Sequence, residues 1–216
     1  MLAIRKGSPR GRPHLDYELR LMRQGHAAIA GLDEAGRGAW AGPVVAAAVI
    51  LNLAKTQSLG KVNDSKKLSP AQRETLYPLI IEASLAYGVG QAEADEIDAI
   101  GILPATRLAM TRAIESLSPQ PDALIIDAVK LPQINLPQSV FNFADSISLS
   151  VAAASIIAKV TRDRWLIELD ARYPGYGFAR HKGYGTRIHQ LALKSLGACE
   201  VHRLTFKPIR ALHPMI

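Results

Sequence analysis

Two apolar runs separated by a glycine-rich segment dominate the first quarter of the chain. The first run covers residues 27–34 and ends in Asp33 and Glu34, and the second covers residues 44–52. Short apolar runs on either side of a glycine-rich turn predict a β-hairpin. A buried strand that ends in two carboxylates needs a cation or a hydrogen-bond network beside it, because an unpaired buried charge is costly.

The rest of the chain alternates between helical and extended patterns. Ser69, Pro70 and Gln72 form a helix start, since serine caps, proline occupies the first turn and glutamine completes a capping box. Apolar spacing predicts helices at about 17–24, 70–83, 93–100, 103–117, 146–159, 161–173 and 186–196, strands at 85–92, 123–127 and 140–145, and loops at 53–63 and 174–185. This order predicts an α/β fold, a mixed β-sheet flanked by helices.

Three predicted strands end in an aspartate: Asp33, Asp127 and Asp145. Acids that meet at one edge of a sheet form a site for a hard cation such as Mg²⁺ or Mn²⁺, and without a cation they would repel one another. The alternative is that each acid caps the next helix. For Asp145, which precedes the helix at 146–159, capping is nearly as good an explanation, whereas Asp127 is followed by Leu131-Pro132 rather than by a helix.

Glu34 presents a geometric problem, because neighbouring side chains on a strand point to opposite faces. If Asp33 faces a metal ion, Glu34 must lie where the strand has begun to turn, or must contribute through its backbone carbonyl.

Composition narrows the class of protein. With 216 residues and 48% hydrophobic residues, the chain can form one well-packed domain. A net charge of +7 suits a polyanion, most simply nucleic acid, although an anionic membrane surface would also fit. The single cysteine, Cys199, excludes an internal disulfide and a cysteine-cluster zinc site and favours a reducing compartment. No secretory signal or membrane-length apolar run is present, so the expected location is the cytoplasm, without membrane association.

Taken together, the motifs resemble those of the bacterial ribonuclease HII family over about residues 15–208. The matching segments are Ile-Ala-Gly-Leu-Asp-Glu-Ala-Gly-Arg-Gly at 29–38, Ala-Gly-Pro-Val-Val-Ala-Ala-Ala at 41–48, Asp-Ser-Lys-Lys-Leu at 64–68, Ile126-Asp127, Asp145 with 152–163, His-Lys-Gly-Tyr-Gly-Thr at 181–186, and His202-Arg203 near Phe206.

This resemblance implies a ribonuclease H-like fold with a helical C-terminal extension. It implies an endoribonuclease that cleaves the RNA strand of RNA–DNA hybrids and nicks 5′ of single ribonucleotides in duplex DNA, leaving a 3′-hydroxyl and a 5′-phosphate. Two Mg²⁺ or Mn²⁺ ions are expected in the active complex, and the chain is expected to be a monomer. The implied catalytic and metal-binding residues are Asp33, Glu34, Asp127 and Asp145.

The resemblance also assigns substrate contacts. Gly36, Arg37 and Gly38 are expected to recognise the 2′-hydroxyl, and Tyr184 is expected to pack on the adjacent sugar. Glycines suit close approach of the backbone to a ligand. Four further basic residues are candidates for sequence-independent phosphate contacts, with solubility as the alternative role: Lys66, Lys67, Arg180 and Lys182. His181 is expected to assist product release or to face solvent, and His202 and Arg203 to bind nucleic acid or to fix the tail.

The chain departs from the family pattern at several positions. Ala39-Trp40, Ala128, Phe143-Ala144 and Ile147 stand where relatives often carry Pro-Leu, glycine, Lys-Gly and a basic residue, respectively. Three parts are predicted: a basic arm with a short helix at 1–26, a catalytic core at 27–173, and a substrate-binding loop with a helical extension at 174–216. The competing hypotheses are a junction resolvase-like nuclease of the same fold and a non-catalytic nucleic-acid-binding relative.

Overall fold

A computed structural model of the chain describes residues 12–212, so most of the predicted basic arm lies outside the described residues. The helices are α1 (Asp16–Arg23), α2 (Pro70–Glu82), α3 (Ala94–Ile100), α4 (Ile102–Glu115), α5 (Leu149–Arg172), α6 (Phe178–His181), α7 (Arg187–Leu196) and α8 (Lys207–Arg210). The strands are β1 (Ile29–Ala35), β2 (Val44–Leu51), β3 (Ser84–Ala92), β4 (Ala123–Asp127) and β5 (Gln138–Phe141).

The five strands form one mixed sheet in the order β3-β2-β1-β4-β5. β1, β2 and β3 are antiparallel neighbours, as the predicted hairpin requires, and β4 and β5 run parallel to β1. The predicted mixed sheet flanked by helices is therefore confirmed.

Alternate residues of the strands pack on two helical layers. Ala46 and Ala48 of β2 belong to the core formed with α4, whereas Ala47 and Val49 belong to the core formed with α2 and α5. Glycine makes the close approach of α5 possible: a Cβ on Gly31 would lie 2.3 Å from a backbone carbon of Ser150. The central strand β1 is thus covered on both faces, and only its C-terminal end is left to form a site.

The C-terminal part of the chain packs against the end of α5 and the turn before β2. Its core contains Ala41, Leu166 and Leu169 together with Tyr176, Phe178, Leu193 and Ile209. The predicted helical C-terminal extension is therefore present.

Several predicted boundaries were wrong, and local hydrogen bonds explain why. Residues 53–59 form a 3₁₀ helix rather than a loop, because the Asn52 side chain accepts a hydrogen bond from the Ala54 amide. The two helices predicted at 146–159 and 161–173 are the single helix α5, since no helix-breaking residue separates them. The predicted loop at 174–185 contains the short helix α6.

The strand predicted at 140–145 also differs, because β5 ends at Phe141. Asp145 lies instead in a 3₁₀ turn, Ala144–Ser146. None of the described helices combines the length and the apolar character that crossing a membrane requires.

Candidate active site

Three aspartates from distant parts of the chain meet at one edge of the sheet. Asp33, Asp127 and Asp145 each place a carboxylate oxygen within 4.8 Å of the others. Asp33 and Asp127 directly follow Leu32 and Ile126, which are paired across the parallel strands β1 and β4. Asp33 and Asp145 are buried, and Asp127 is half-buried. The predicted convergence of the three acids is present in the structure.

Asp145 reaches the site through a turn rather than along a strand. Phe143 adopts a left-handed conformation with φ 63°, which ends the extended segment and turns the chain towards α5. The Ala144 amide then donates a 2.8 Å hydrogen bond to Asp127 Oδ1. Ser148, not Asp145, caps α5, because its side chain accepts from the Val151 amide. The capping alternative for Asp145 is therefore wrong.

Glu34 remains within β1 and pairs with Ala46, so the strand has not begun to turn there, contrary to one of the two expectations. Asp33 pairs with Ala47 on the α5 face, whereas Ala46 belongs to the core with α4, so Glu34 leaves the strand on the opposite face. Arg37 Nη1 donates to Glu34 Oε1 at 3.2 Å. Glu34 is outside the group of three oxygens described above.

Burial and mutual repulsion raise the pKa values of the four acids. Burial raises the pKa of Asp33 well above its usual value, with additional repulsion from Glu34, Asp127 and Asp145. Burial and the neighbouring Asp64 raise the pKa of Asp145 to about 6, although Lys66 partly opposes the shift. Burial likewise raises the pKa values of Glu34 and Asp127. Without a cation, the ionised cluster therefore destabilises the folded state at neutral pH.

This gives a testable pH dependence of stability in metal-free protein. Because the folded-state pKa of Asp145 is about 6 against an ordinary 3.8, the folded state binds more protons than the unfolded state in that window, and stability falls as pH rises through it. Asp145→Asn removes this loss. We expect the melting temperature of the variant, relative to the unmodified protein, to increase from pH 4.5 to pH 7 in chelator.

The comparison with the unmodified protein is needed because His189 acts in the opposite direction. Burial lowers the pKa of His189 to about 4, so its contribution to stability increases as pH rises from about 4 towards 6.5. A difference in melting temperature between Asp145→Asn and the unmodified protein that stays constant across the range would contradict the prediction.

The acids are chemically suited to a divalent cation. All ligand atoms in the cluster are carboxylate oxygens, which hard cations prefer. Two buried oxygens, Glu34 Oε2 and Asp145 Oδ2, have no hydrogen-bond partner among the described residues, although Lys66 Nζ lies 3.6 Å from the latter. Buried polar atoms without partners are rare in proteins, and here a cation would satisfy them.

The four predicted phosphate contacts differ in their surroundings. Lys66 is exposed and pairs with Asp145, so it lies at the acid cluster. Lys67 and Arg180 are exposed. Lys182 is half-buried, its pKa is lowered by burial, and its ammonium group donates to the Ala179 carbonyl. Asp64, whose role the sequence did not indicate, accepts from the Lys66 amide at 2.9 Å.

The two glycines of the 36–38 turn have different structural roles. Gly36 is buried with φ 93°, and a Cβ there would lie 1.9 Å from Arg162 Nε. Gly38 is exposed, and a Cβ there would have no neighbour within 4 Å. The fold therefore requires glycine at 36, whereas within the described residues nothing requires it at 38.

Two arginines with no exposed surface connect this turn to the C-terminal part. Arg203 donates to the Arg37 carbonyl at 2.9 Å and, through two nitrogens, to the Gly42 carbonyl. Arg162 donates to the carbonyls of Ala41, Pro43 and Lys182. Arg203 therefore fixes the tail to the turn, which decides between its two predicted roles. Its complete burial excludes direct contact with nucleic acid.

Tyr184 is held by a hydrogen-bond chain of defined polarity. The Tyr184 carbonyl can only accept, so His189 Nδ1, 3.1 Å away, carries the proton. Burial keeps His189 neutral at neutral pH, so its Nε2 accepts from His202 Nε2 at 3.0 Å. His202 Nδ1 then accepts from the Cys199 amide at 2.9 Å. This chain fixes the main chain at Tyr184, a role the sequence did not indicate.

Other neighbours complete the loop around Tyr184. His181 is buried and accepts from the Gly183 amide, so the expectation that it faces solvent was wrong. Trp40 donates from its amide to the Gly183 carbonyl, and a Cβ on Gly185 would lie 2.0 Å from the Trp40 ring. The Trp40 departure from the family pattern therefore packs the turn against the tyrosine loop.

Comparisons with known proteins agree with this geometry. The family profile described as Ribonuclease HII matches residues 30–209. Ribonuclease HII of Chloroflexus aurantiacus is 55% identical over 200 residues, covering 91% of this chain and 94% of that protein. Ribonuclease HII of Geotalea uraniireducens is 52% identical over 196 residues, covering 91% and 90% of the two chains.

A solved structure shows the same architecture. The crystal structure of ribonuclease H2 from Pyrococcus horikoshii is 27% identical, covers 87% of this chain and 98% of that chain, and superposes with a TM-score of 0.73. The predicted ribonuclease H-like fold is confirmed.

Proposed function

Because the chain belongs to the ribonuclease HII family, we propose that it nicks duplex DNA 5′ of a single embedded ribonucleotide. Family membership assigns it metal-dependent ribonuclease H activity, the hydrolysis of the RNA strand in RNA–DNA hybrids. The finer specificity is our proposal. The observation that supports it best is the arrangement of three segments. The acid cluster lies next to the 36–38 turn, and the buried Arg162 and Arg203 connect this turn to the part of the chain that contains the loop of Tyr184.

The acids would hold the metal in the proposed mechanism. Asp33, Asp127 and Asp145 present oxygens close enough to share divalent ions, and Glu34, whose side chain leaves β1 on the other face, would contribute through its backbone carbonyl. Two Mg²⁺ or Mn²⁺ ions, when bound, supply an activated water and stabilise the leaving oxygen. Lys66, next to Asp145, limits repulsion within the cluster before substrate arrives. The products would carry a 3′-hydroxyl and a 5′-phosphate.

Recognition of the ribonucleotide would depend on the turn and the tyrosine. A 2′-hydroxyl is the only group that distinguishes the ribonucleotide from its neighbours, so backbone groups must approach it closely. The exposed Gly38 permits that approach, and Arg37 is exposed next to it. Tyr184 would pack on the adjacent sugar.

Phosphate contacts would come from four basic residues, which makes binding strongly salt-dependent: Lys66, Lys67, Arg180 and Lys182. We also propose that the chain is a monomer without membrane association. One cysteine suits a reducing compartment, so we propose the cytoplasm as its location.

Three labelled substrates test the proposal against its rivals. On duplex DNA with one ribonucleotide, we expect a single nick 5′ of that residue with Mg²⁺ or Mn²⁺ and none with chelator. A resolvase would cut an all-DNA four-way junction instead, and a non-catalytic relative would retain the duplex without cutting it. Either result would contradict the proposal, with cleavage of a long RNA–DNA hybrid as the control for activity.

The two glycines of the turn provide a matched pair of variants. Gly38→Ala should leave the melting temperature within about 2 °C, since its Cβ meets nothing in the protein, but should lower nicking at a single ribonucleotide by about tenfold. Gly36→Ala should lower the melting temperature, because its Cβ would clash with Arg162 at a positive φ. Unchanged nicking by Gly38→Ala would show that the turn does not approach the substrate there.

Tyr184→Ala should affect the two substrates unequally. We expect nicking at a single ribonucleotide to fall by about tenfold and hybrid cleavage to fall much less. The reason is that the binding free energy of the ring on one sugar approaches that of a base stacked on an aromatic side chain. The ratio of the two initial rates is the measurement, and Tyr184→Phe should preserve it. An equal loss on both substrates would remove Tyr184 from ribonucleotide recognition.

A further inference from the structure

Phe143 is the most exposed large hydrophobic residue among residues 12–212, with 74% of its surface accessible. It is also one of three non-glycine residues there with positive φ, at 63°. A bulky side chain in this conformation is uncommon and costs free energy. Neither burial nor packing in the folded protein offsets that cost.

The backbone around Phe143 is firmly held. The Phe143 carbonyl accepts from both the amide and the hydroxyl of Ser146, at 3.0 and 2.8 Å. The next amide, of Ala144, donates to Asp127 at 2.8 Å. Asp145 follows one residue later and belongs to the acid cluster. The hydrogen-bonded turn that carries Asp145 therefore also carries an exposed phenyl ring, two residues before that acid in the chain.

We propose that Phe143 is a substrate-binding residue whose ring packs on the apolar face of a sugar beside the scissile phosphate. This inference rests on the proposed function. The acids act on a phosphodiester, and the nearest apolar groups of a nucleic acid are the sugars bonded to that phosphate. A ring on the same turn as Asp145 is well placed to meet one of them. Strained backbone conformations concentrate at functional sites, where the strain positions a group for binding.

Steady-state kinetics on the duplex with one ribonucleotide test this contact. Phe143→Ala and Phe143→Gly should each raise KM by about tenfold while kcat stays within about twofold, because much of the apolar contact of one ring is lost. Phe143→Trp should keep KM within about threefold of the unmodified protein. Leu85→Ala, at another exposed apolar side chain on β3, is the matched control and should change neither constant.

Thermal unfolding separates binding from folding. Phe143→Gly removes the positive-φ penalty, so its melting temperature should equal or exceed that of the unmodified protein. The inference is overturned if KM is unchanged in the alanine and glycine variants, if tryptophan is no better than alanine, or if the melting temperature of the glycine variant falls with the loss of binding.

A failure of the proposed function would be visible separately, as absence of nicking by the unmodified protein. In that case the same variants are compared by fluorescence anisotropy on the same labelled duplex in chelator. A tenfold weaker Kd for alanine and glycine with recovery for tryptophan supports the contact, and equal Kd values overturn it.

Discussion

Asp33→Asn is expected to reduce cleavage of the singly substituted duplex by at least about a thousandfold. Asparagine keeps the size of the side chain but removes the charge that, on the proposed function, would hold a divalent ion at the cluster. The folded state should gain stability in chelator, because burial and three neighbouring acids raise the pKa of Asp33 and its ionised form is unfavourable there. Initial rates and melting temperatures in chelator are the two measurements.

An exposed acid provides the control for Asp33. Asp95→Asn makes the same chemical change in the first turn of α3, on an exposed residue outside the cluster, and should leave the rate within about twofold. If Asp33→Asn retained a tenth of the activity, the cluster would not be the metal site. If it failed to fold, the role of Asp33 would be structural.

Arg203→Ala should lower the free energy of unfolding by about 3 kcal/mol, because it leaves buried carbonyls without donors and creates a cavity. The lost bonds are those to Gly42 and Arg37. For a chain of this length the melting temperature should fall by about 6–12 °C. Nicking at a single ribonucleotide should fall further than hybrid cleavage, since the 36–38 turn loses its support.

Two further variants define the origin of the Arg203 effect. Arg203→Lys should recover little stability, because an ammonium group cannot reproduce the planar arrangement of guanidinium donors. Arg210→Ala, at an exposed arginine of α8, should change stability by less than about 0.5 kcal/mol. A loss below about 1 kcal/mol for Arg203→Ala would show that the turn is held mainly by other contacts.

The sequence predicted the acid cluster because Asp33 and Asp127 each follow an apolar strand. Residues at the ends of two neighbouring parallel strands lie at the same edge of the sheet, as these two do. Asp145 reaches the same edge through a turn and not along a strand. This turn requires a positive φ at Phe143, which the sequence does not indicate because the residue is not glycine. Ala128, where relatives often carry glycine, likewise has φ 55°, which gives a backbone reason for glycine at that position.

The buried arginines could not be predicted from the pattern of residues. Arginine is usually exposed, and in a basic chain it most simply indicates contact with a polyanion. Arg162 and Arg203 instead bind main-chain carbonyls up to 166 residues away, and every residue offers such a carbonyl. The hydrogen-bond chain from Cys199 to Tyr184 could not be predicted for the same reason, because it ends on a main-chain carbonyl.

The Trp40 peptide lies between the two segments proposed to recognise the ribonucleotide, the 36–38 turn and the loop of Tyr184. Its amide donates to Gly183, and its carbonyl accepts from the amide of Arg203. In the proposed function, the sugar is recognised by segments beyond the end of β1, whereas the acids lie at the edge of the sheet. On that proposal, changes in the extension that keep Arg203 and the hydrogen-bond partners of Trp40 would alter substrate preference and leave the acid cluster intact.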